Sequence, residues 1–338
     1  MNKGTVIFDK KPSILSFSAV VGKKEGDGPL GKYFDLTDEK DLFGMKTYER
    51  AEGEMSRLAL NLALKKRKIT EKELDLIVAG DLQNQCVASS GGLFTFGVPF
   101  LGLYGACSTC TEGLIVLSAM LTSSKTYKRG ASVTSSHNCA AERQFRTPLE
   151  YGGQRSPTSG WTATASGAFI LSKERTSNIM ITSFMPGKAI DGYIKDASNM
   201  GAAMALSAFD SIDTFFKEND PDTFDLILTG DLGRVGSAIL RELLSEKNES
   251  FGRKLSTLHN DCGLLLYDLS KQDVHAGGSG CGCSASVLSS FILPKVETGE
   301  LRKVLLLSTG ALMNTSSICQ GDHILGISPL VTVEYGGT

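Results

Sequence analysis

Asp75-Leu-Ile-Val-Ala-Gly-Asp-Leu82 returns 150 residues later as Asp225-Leu-Ile-Leu-Thr-Gly-Asp-Leu232, with six of eight positions identical. Each copy is a short apolar run closed by Gly-Asp, the pattern of a buried strand running into a turn. Each also follows a segment with apolar residues at three-and-four spacing, one face of a helix. Before the first copy these are Tyr48, Ala51, Met55, Leu58, Ala59 and Leu62; before the second they are Met204, Ala208, Ile212, Phe215 and Phe216. Further along, Thr111 to Leu121 and Ser284 to Leu293 are apolar almost all round, as helices in a protein interior are. Strand-like runs follow at Ala131 to Ser136 and Val304 to Ser308. Helices and buried strands therefore alternate twice, which predicts a duplicated, layered α/β unit with a mostly parallel sheet. The division is expected in the Pro/Gly-containing stretch 186–200, giving halves 1–190 and 191–338.

The chain has 338 residues, enough for two ordinary cores. Its 41% hydrophobic and 21% charged residues are globular proportions and exclude a disordered or low-complexity chain. Lys plus Arg number 35 against 37 Asp plus Glu, a formal charge of -2 that offers no cationic stripe to nucleic acid. The one dense basic cluster, Lys65 to Lys68, sits where a helix is expected to end, where cations complement the helix dipole; contact with a membrane surface or a partner is the other reading. The N-terminal residues lack a signal-peptide pattern, and the apolar runs of about ten residues fall short of the ~20 a spanning helix needs. A soluble chain with reduced thiols is expected for its eight cysteines.

Those thiols are not scattered. Cys107 and Cys110 precede one apolar helix, and Cys281 and Cys283 precede the other. A helix start carries unpaired N–H groups, so it lowers a thiol pKa and attracts anions. A nucleophile or an anion site is one reading, a small buried apolar residue is the second, and a four-Cys metal site is the third.

Two similar halves, with a cysteine at the start of a buried helix in the first, resemble the thiolase superfamily along nearly the whole chain. The resemblance implies a five-layer α-β-α-β-α fold with pseudo-twofold symmetry. Cys110-Thr-Glu-Gly113 is similar to the C-x-x-G around the nucleophile of thiolases and ketoacyl synthases. Cys107 fits the family spacing after Pro99; Cys110 is preferred because Gly113 then falls on the family's close-packed glycine. Gly167 resembles the family's glycine-led strand, and Val331 to Glu334 its closing strand. The catalytic imidazoles are missing: Gly230 stands where ketoacyl synthases carry His, and Gly278-Ser-Gly-Cys-Gly282 resembles the thiolase G-H-P-x-G with Ser279 for His. A cysteine without its base is a weak acyl-transfer catalyst. A binding protein that has lost turnover is therefore expected, and a live acyltransferase using Cys110, with His275 as base, is the alternative.

The segment His137-Asn-Cys-Ala-Ala-Glu-Arg-Gln-Phe-Arg-Thr-Pro-Leu-Glu-Tyr-Gly152 is no general thiolase motif. With Gly105 to Gly113 and the N-terminal stretch Pro12 to Gly31, it resembles the stage V sporulation protein AD family. That resemblance implies a non-catalytic subunit, peripheral to the spore inner membrane, of a complex that moves dipicolinic acid into the developing spore. The implied ligand is a flat aromatic dianion wanting apolar walls and donor or cationic ends. Cys107, Cys110, Thr111, His137, Arg143, Arg146, Ser279, Gly280 and Cys281 are expected around it. No resident cofactor or metal is expected; calcium is expected to accompany the ligand. The partners implied are the other stage V sporulation A membrane proteins and, as is usual for thiolase-like chains, a second copy in a twofold dimer.

Overall fold

The computed structural model describes residues 4–145, 155–247 and 249–337. Across the sheet the strands run His259–Asp261, Leu226–Thr229, Lys303–Leu307, Leu330–Tyr335 and Ile179–Met185, then Ser13–Gly22, Ala165–Ser172, Arg129–Ser136, Leu76–Gly80 and Phe100–Leu103. Numbered within each half, the order is 3-2-4-5-1 followed by its mirror image. In both halves the fifth strand alone runs antiparallel to its neighbours. The halves join where their first strands begin, through the single pair Ser13 and Met180. The second repeat thus opens with Ile179–Met185, ahead of the expected division, because the charged turn 173–178 separates two apolar strands that the eye joins into one half.

The repeated strands are apolar at nearly every position, the second closing on Thr229, because both faces are covered. Leu76 and Val78 point to a core shared with Leu114, Leu117 and Leu121, whereas Ile77 and Ala79 point to a second core with Met55, Ala59 and Leu60. In the second half Leu228 and Leu306 face the shared core, and Ile227 and Leu305 face a third core with Met204, Ala208 and Leu240. Three cores between five layers follow: outer helices, sheet, inner helices, sheet, outer helices. The outer helices are Tyr48–Lys66 on one side and Met200–Phe215 with Gly233–Lys247 on the other.

Thr109–Ser123 is the first inner helix. The run Ala106–Ser123 reaches the length and hydropathy of a membrane span, longer than the runs read from sequence, yet it lies between the sheets. The second inner helix starts at Cys281 and widens to a π turn over Leu288–Ile292. Pro294 follows this turn; it lacks an N–H and crowds the carbonyl one turn back, which an ordinary α turn does not accommodate. Close packing sets the helix–sheet spacing: a Cβ on Gly113 would meet Ser132 Oγ at 2.4 Å, and one on Gly167 would meet the Ala285 carbonyl oxygen at 2.5 Å.

Candidate functional site

Each inner helix is entered through a residue with positive φ: Ala106 at 52° before Cys107, and Gly280 at 91° before Cys281. Glycine adopts this conformation freely; alanine does so at a cost of order 1–3 kcal/mol that the surroundings must hold in place. The pseudo-twofold mate of Cys107 is therefore Cys281. The two thiols belong to one small buried cluster with Leu82 and Ala141 at the seam of the halves.

A cavity of about 260 Å³ opens over this cluster. Leu82, Tyr104, Cys107, Ala141, Glu142 and Thr162 line it from the first half, and Met200, Ser279, Ala311, Leu312 and Asn314 are among those lining it from the second. Most of these residues follow the C-terminal ends of parallel strands, where open α/β sheets place their ligands.

Cys107 lies beside the carboxylate of Asp231, the Asp of the second repeated octapeptide. Asp231 also accepts the Gly280 N–H at 2.8 Å and the Thr309 hydroxyl at 2.8 Å. Burial raises the Asp231 carboxyl to about 6 against the pull of these donors. Burial first, and then the Asp231 charge, pushes the Cys107 thiol well above its ordinary value. This is the reverse of a nucleophile's setting, where a neighbouring cation or base lowers the thiol pKa. Deeper in the second half, Asp261 accepts the N–H groups of Leu232 and Gly233, each at 2.9 Å, and the Thr229 hydroxyl. Burial lifts Asp261 to about 7.

The expected site residues separate. Cys107 and Ser279 line the cavity, whereas Cys110 is fully buried, in the shared core. Of the two candidate cysteines the cavity thus meets Cys107 and not the preferred Cys110. Cys110 shares that core with Leu114, Leu117 and Leu121, its thiol lies beside the Ser284 and Ser308 hydroxyls, and burial drives it up to about 12. Thr111 does not line the cavity; it lies beneath it, where its hydroxyl donates to Ser308 Oγ at 2.7 Å. His137 is fully buried away from the cavity, its Nε2 at 2.7 Å from the Asp41 carbonyl oxygen and its ring against Tyr48. Gly280 serves through its N–H to Asp231, and Cys281 donates to the Ser135 carbonyl at 3.0 Å beneath the floor. Arg146, and the side chain of Arg143, lie outside the described residues.

Among the described residues no histidine lines the cavity. His259 is held neutral, near 3, by burial and the Arg241 charge. His275 lies 2.8 Å from the Ser156 carbonyl and 3.1 Å from Asp273, so the alternative pairing of His275 with Cys110 is not formed. Among the described residues no group of three or more His, Cys, Asp or Glu side chains is placed to share a metal ion. Asp231 was missed by sequence reasoning, although a charged residue closing a buried strand in both repeats was a usable signal.

Two mirrored halves with a strained cysteine turn above a buried helix define the thiolase-like class. Solved structures agree at the level of fold. The 3-oxoacyl-[acyl-carrier-protein] synthase III of Aquifex aeolicus VF5 superposes with a TM-score of 0.59 at 12% identity, covering 96% of this chain and 100% of that one. An OleA variant of Xanthomonas campestris gives 0.58 at 13% identity, covering 98% of this chain and 100% of its own. A family model described as Stage V sporulation protein AD matches residues 2–334. The Stage V sporulation protein AD of Bacillus subtilis (strain 168) is 42% identical over 337 residues, covering 99% of this chain and 98% of that one. The chain belongs to the stage V sporulation protein AD family.

Proposed function

We propose that this chain is a non-catalytic, thiolase-fold binding subunit of a spore membrane transport complex, and that its cavity takes dipicolinate for uptake into the developing spore. The observation that carries the loss of turnover is the Cys107–Asp231 contact: a carboxylate stands where a condensing enzyme needs a base to withdraw the thiol proton. Proton abstraction by Asp231 is uphill, because it titrates near 6 and the thiol far above that.

The cavity's chemistry supports a small planar ligand. At about 260 Å³ it lies below the range for drug-sized molecules. Leu82, Ala141, Met200, Ala311 and Leu312 supply apolar walls, and Thr162, Ser279 and Asn314 supply polar groups at the edges. The described lining holds the Glu142 carboxylate and no Lys or Arg, so the ligand's charge is met by calcium carried with it. A second copy pairs along strand Phe100–Leu103, whose outer edge is open and whose Phe100 and Leu101 are exposed.

Calorimetry with dipicolinate, with and without calcium, tests the ligand. Leu312→Trp fills the cavity and should weaken binding at least about tenfold, roughly the effect of one blocked apolar contact. Absence of heat from the unaltered protein at millimolar ligand rejects the assignment. Incubation with acetyl-CoA followed by intact mass tests the chemistry, and a thioester on Cys107 rejects the non-catalytic reading.

A further inference from the structure

The loops at the N-terminal ends of the parallel strands form the face opposite the cavity. On the first half's side these are segments 9–12, 65–75, 125–129 and 173–178. Backbone bonds from Asp75 N to Arg129 O at 2.9 Å and from Lys173 N to Lys128 O at 2.8 Å stitch them together. The Ser13 hydroxyl, donating to Glu174 O at 2.7 Å, adds a further stitch. They carry twelve Lys and Arg against five Asp and Glu. Their counterparts in the second half, 217–225, 297–303 and 334–337, carry three against seven. One backbone arrangement is thus used twice with opposite sign, in a chain whose formal charge is only -2.

Folding accounts for a minority of these cations. Lys66 donates to the Phe17 carbonyl at 2.8 Å and pairs with Asp35, Arg67 donates to the Leu15 carbonyl and pairs with Glu297, and Arg129 pairs with Glu73. Lys10, Lys11, Lys68, Lys72, Lys125 and Lys128 are exposed, and the ion pairs of the described residues include none of them. Holding so many like charges together costs stability through self-repulsion, and nothing within the fold requires it.

We propose that this basic face lies against an anionic lipid surface. Specific protein interfaces carry an apolar, aromatic-rich centre. None of the exposed large apolar side chains falls within the four segments, so the face offers charge without an anchor. Flexible lysines spread over a plane match the headgroups of an anionic leaflet, whose potential attracts basic residues within a Debye length. The inference deepens, and rests on, the reading of the chain as a membrane-apposed subunit; its test uses lipid alone, so failure here leaves the ligand assignment standing.

The test is cosedimentation of the full chain with vesicles of phosphatidylcholine, alone or mixed with phosphatidylglycerol. Binding is expected to the mixed vesicles only, and to disappear at about 0.5 M salt, where charges are screened within a few ångströms. Replacing Lys10, Lys11, Lys68, Lys125 and Lys128 by Ser should weaken it by on the order of 1,000-fold, since each basic residue near such a surface contributes about fivefold. Replacing Lys40, Lys46, Lys188, Lys195 and Lys271, which lie off this face, by Ser should not. Equal loss in the two variants reduces the effect to net charge and overturns the proposal. So does failure of the unaltered protein to bind the mixed vesicles, even if an acidic protein is then found on this face.

Discussion

Cys107 and Asp231 face each other across the seam between the halves, one from the turn into the first inner helix and the other from the loop after a second-half strand. The contact joins the cavity's only lining thiol, among the described residues, to an acid that also holds the Gly280 N–H. Asp231→Asn keeps the shape and removes the charge. Alkylation of Cys107 by iodoacetamide at pH 8 should then accelerate by about tenfold for each pKa unit recovered. An unchanged rate, read by peptide mass, would mean that burial alone silences the thiol.

Glu25 makes stability depend on pH. It is 1% exposed, accepts the Thr164 N–H at 3.1 Å and the Tyr267 hydroxyl, and burial raises it from 4.5 to about 7. A raised acid favours the folded state while protonated, so its contribution is complete below about 4.5 and is lost as pH rises through 7. The shift corresponds to about 3 kcal/mol. Asp261, also raised to about 7, acts in the same direction. Melting temperature should therefore fall between pH 5 and pH 7.5, and Glu25→Gln should flatten part of that slope. A slope of opposite sign in the unaltered protein refutes the account.

Glycine contacts set the layer spacing. Gly167→Ala drives a methyl against the Ala285 backbone and should cost about 1–3 kcal/mol, as overpacking does. A Cβ on Gly91, in the short helix Val87–Leu93, would meet nothing within 4 Å, so Gly91→Ala should be neutral or stabilise by up to about 1 kcal/mol. Thermal unfolding of the pair discriminates, and equal effects would remove the packing argument.

Cys110→Ala and Cys107→Ala should part company. The first removes a core sulfur and should lower stability by about 1 kcal/mol while leaving dipicolinate affinity intact. The second alters the cavity wall and should change affinity with little change in melting. Reversed behaviour in calorimetry and melting would return the site to Cys110.

The layered duplication was legible because strands covered on both faces are almost wholly apolar, as Leu76 to Ala79 and Ile227 to Leu228 are, and because Gly-Asp closes each run. The choice between two cysteines went astray for a local reason. A left-handed turn at Ala106 leaves no mark in an alanine, whereas the same turn at Gly280 does. The 4-3-4 spacing of Cys110, Leu114, Leu117 and Leu121 was the available sign that Cys110 faces the core. His137 misled through its place in the signature segment: its ring completes a core contact with Tyr48, a partner 89 positions earlier in the chain that no local pattern indicates.

The mirrored sheet has two ends of unlike character. At one, Phe100–Leu103 is open and apolar; at the other, helices Gly233–Lys247 and Cys262–Leu266 pack on His259–Asp261, and Arg241 donates to the His259 carbonyl at 3.0 Å. Growth by strand addition needs two adhesive ends, one to accept and one to offer. With a single such end, the pairing proposed along Phe100–Leu103 would join two molecules edge to edge and offer no edge to a third. A sheet that could seed a fibre would then stop at a closed pair.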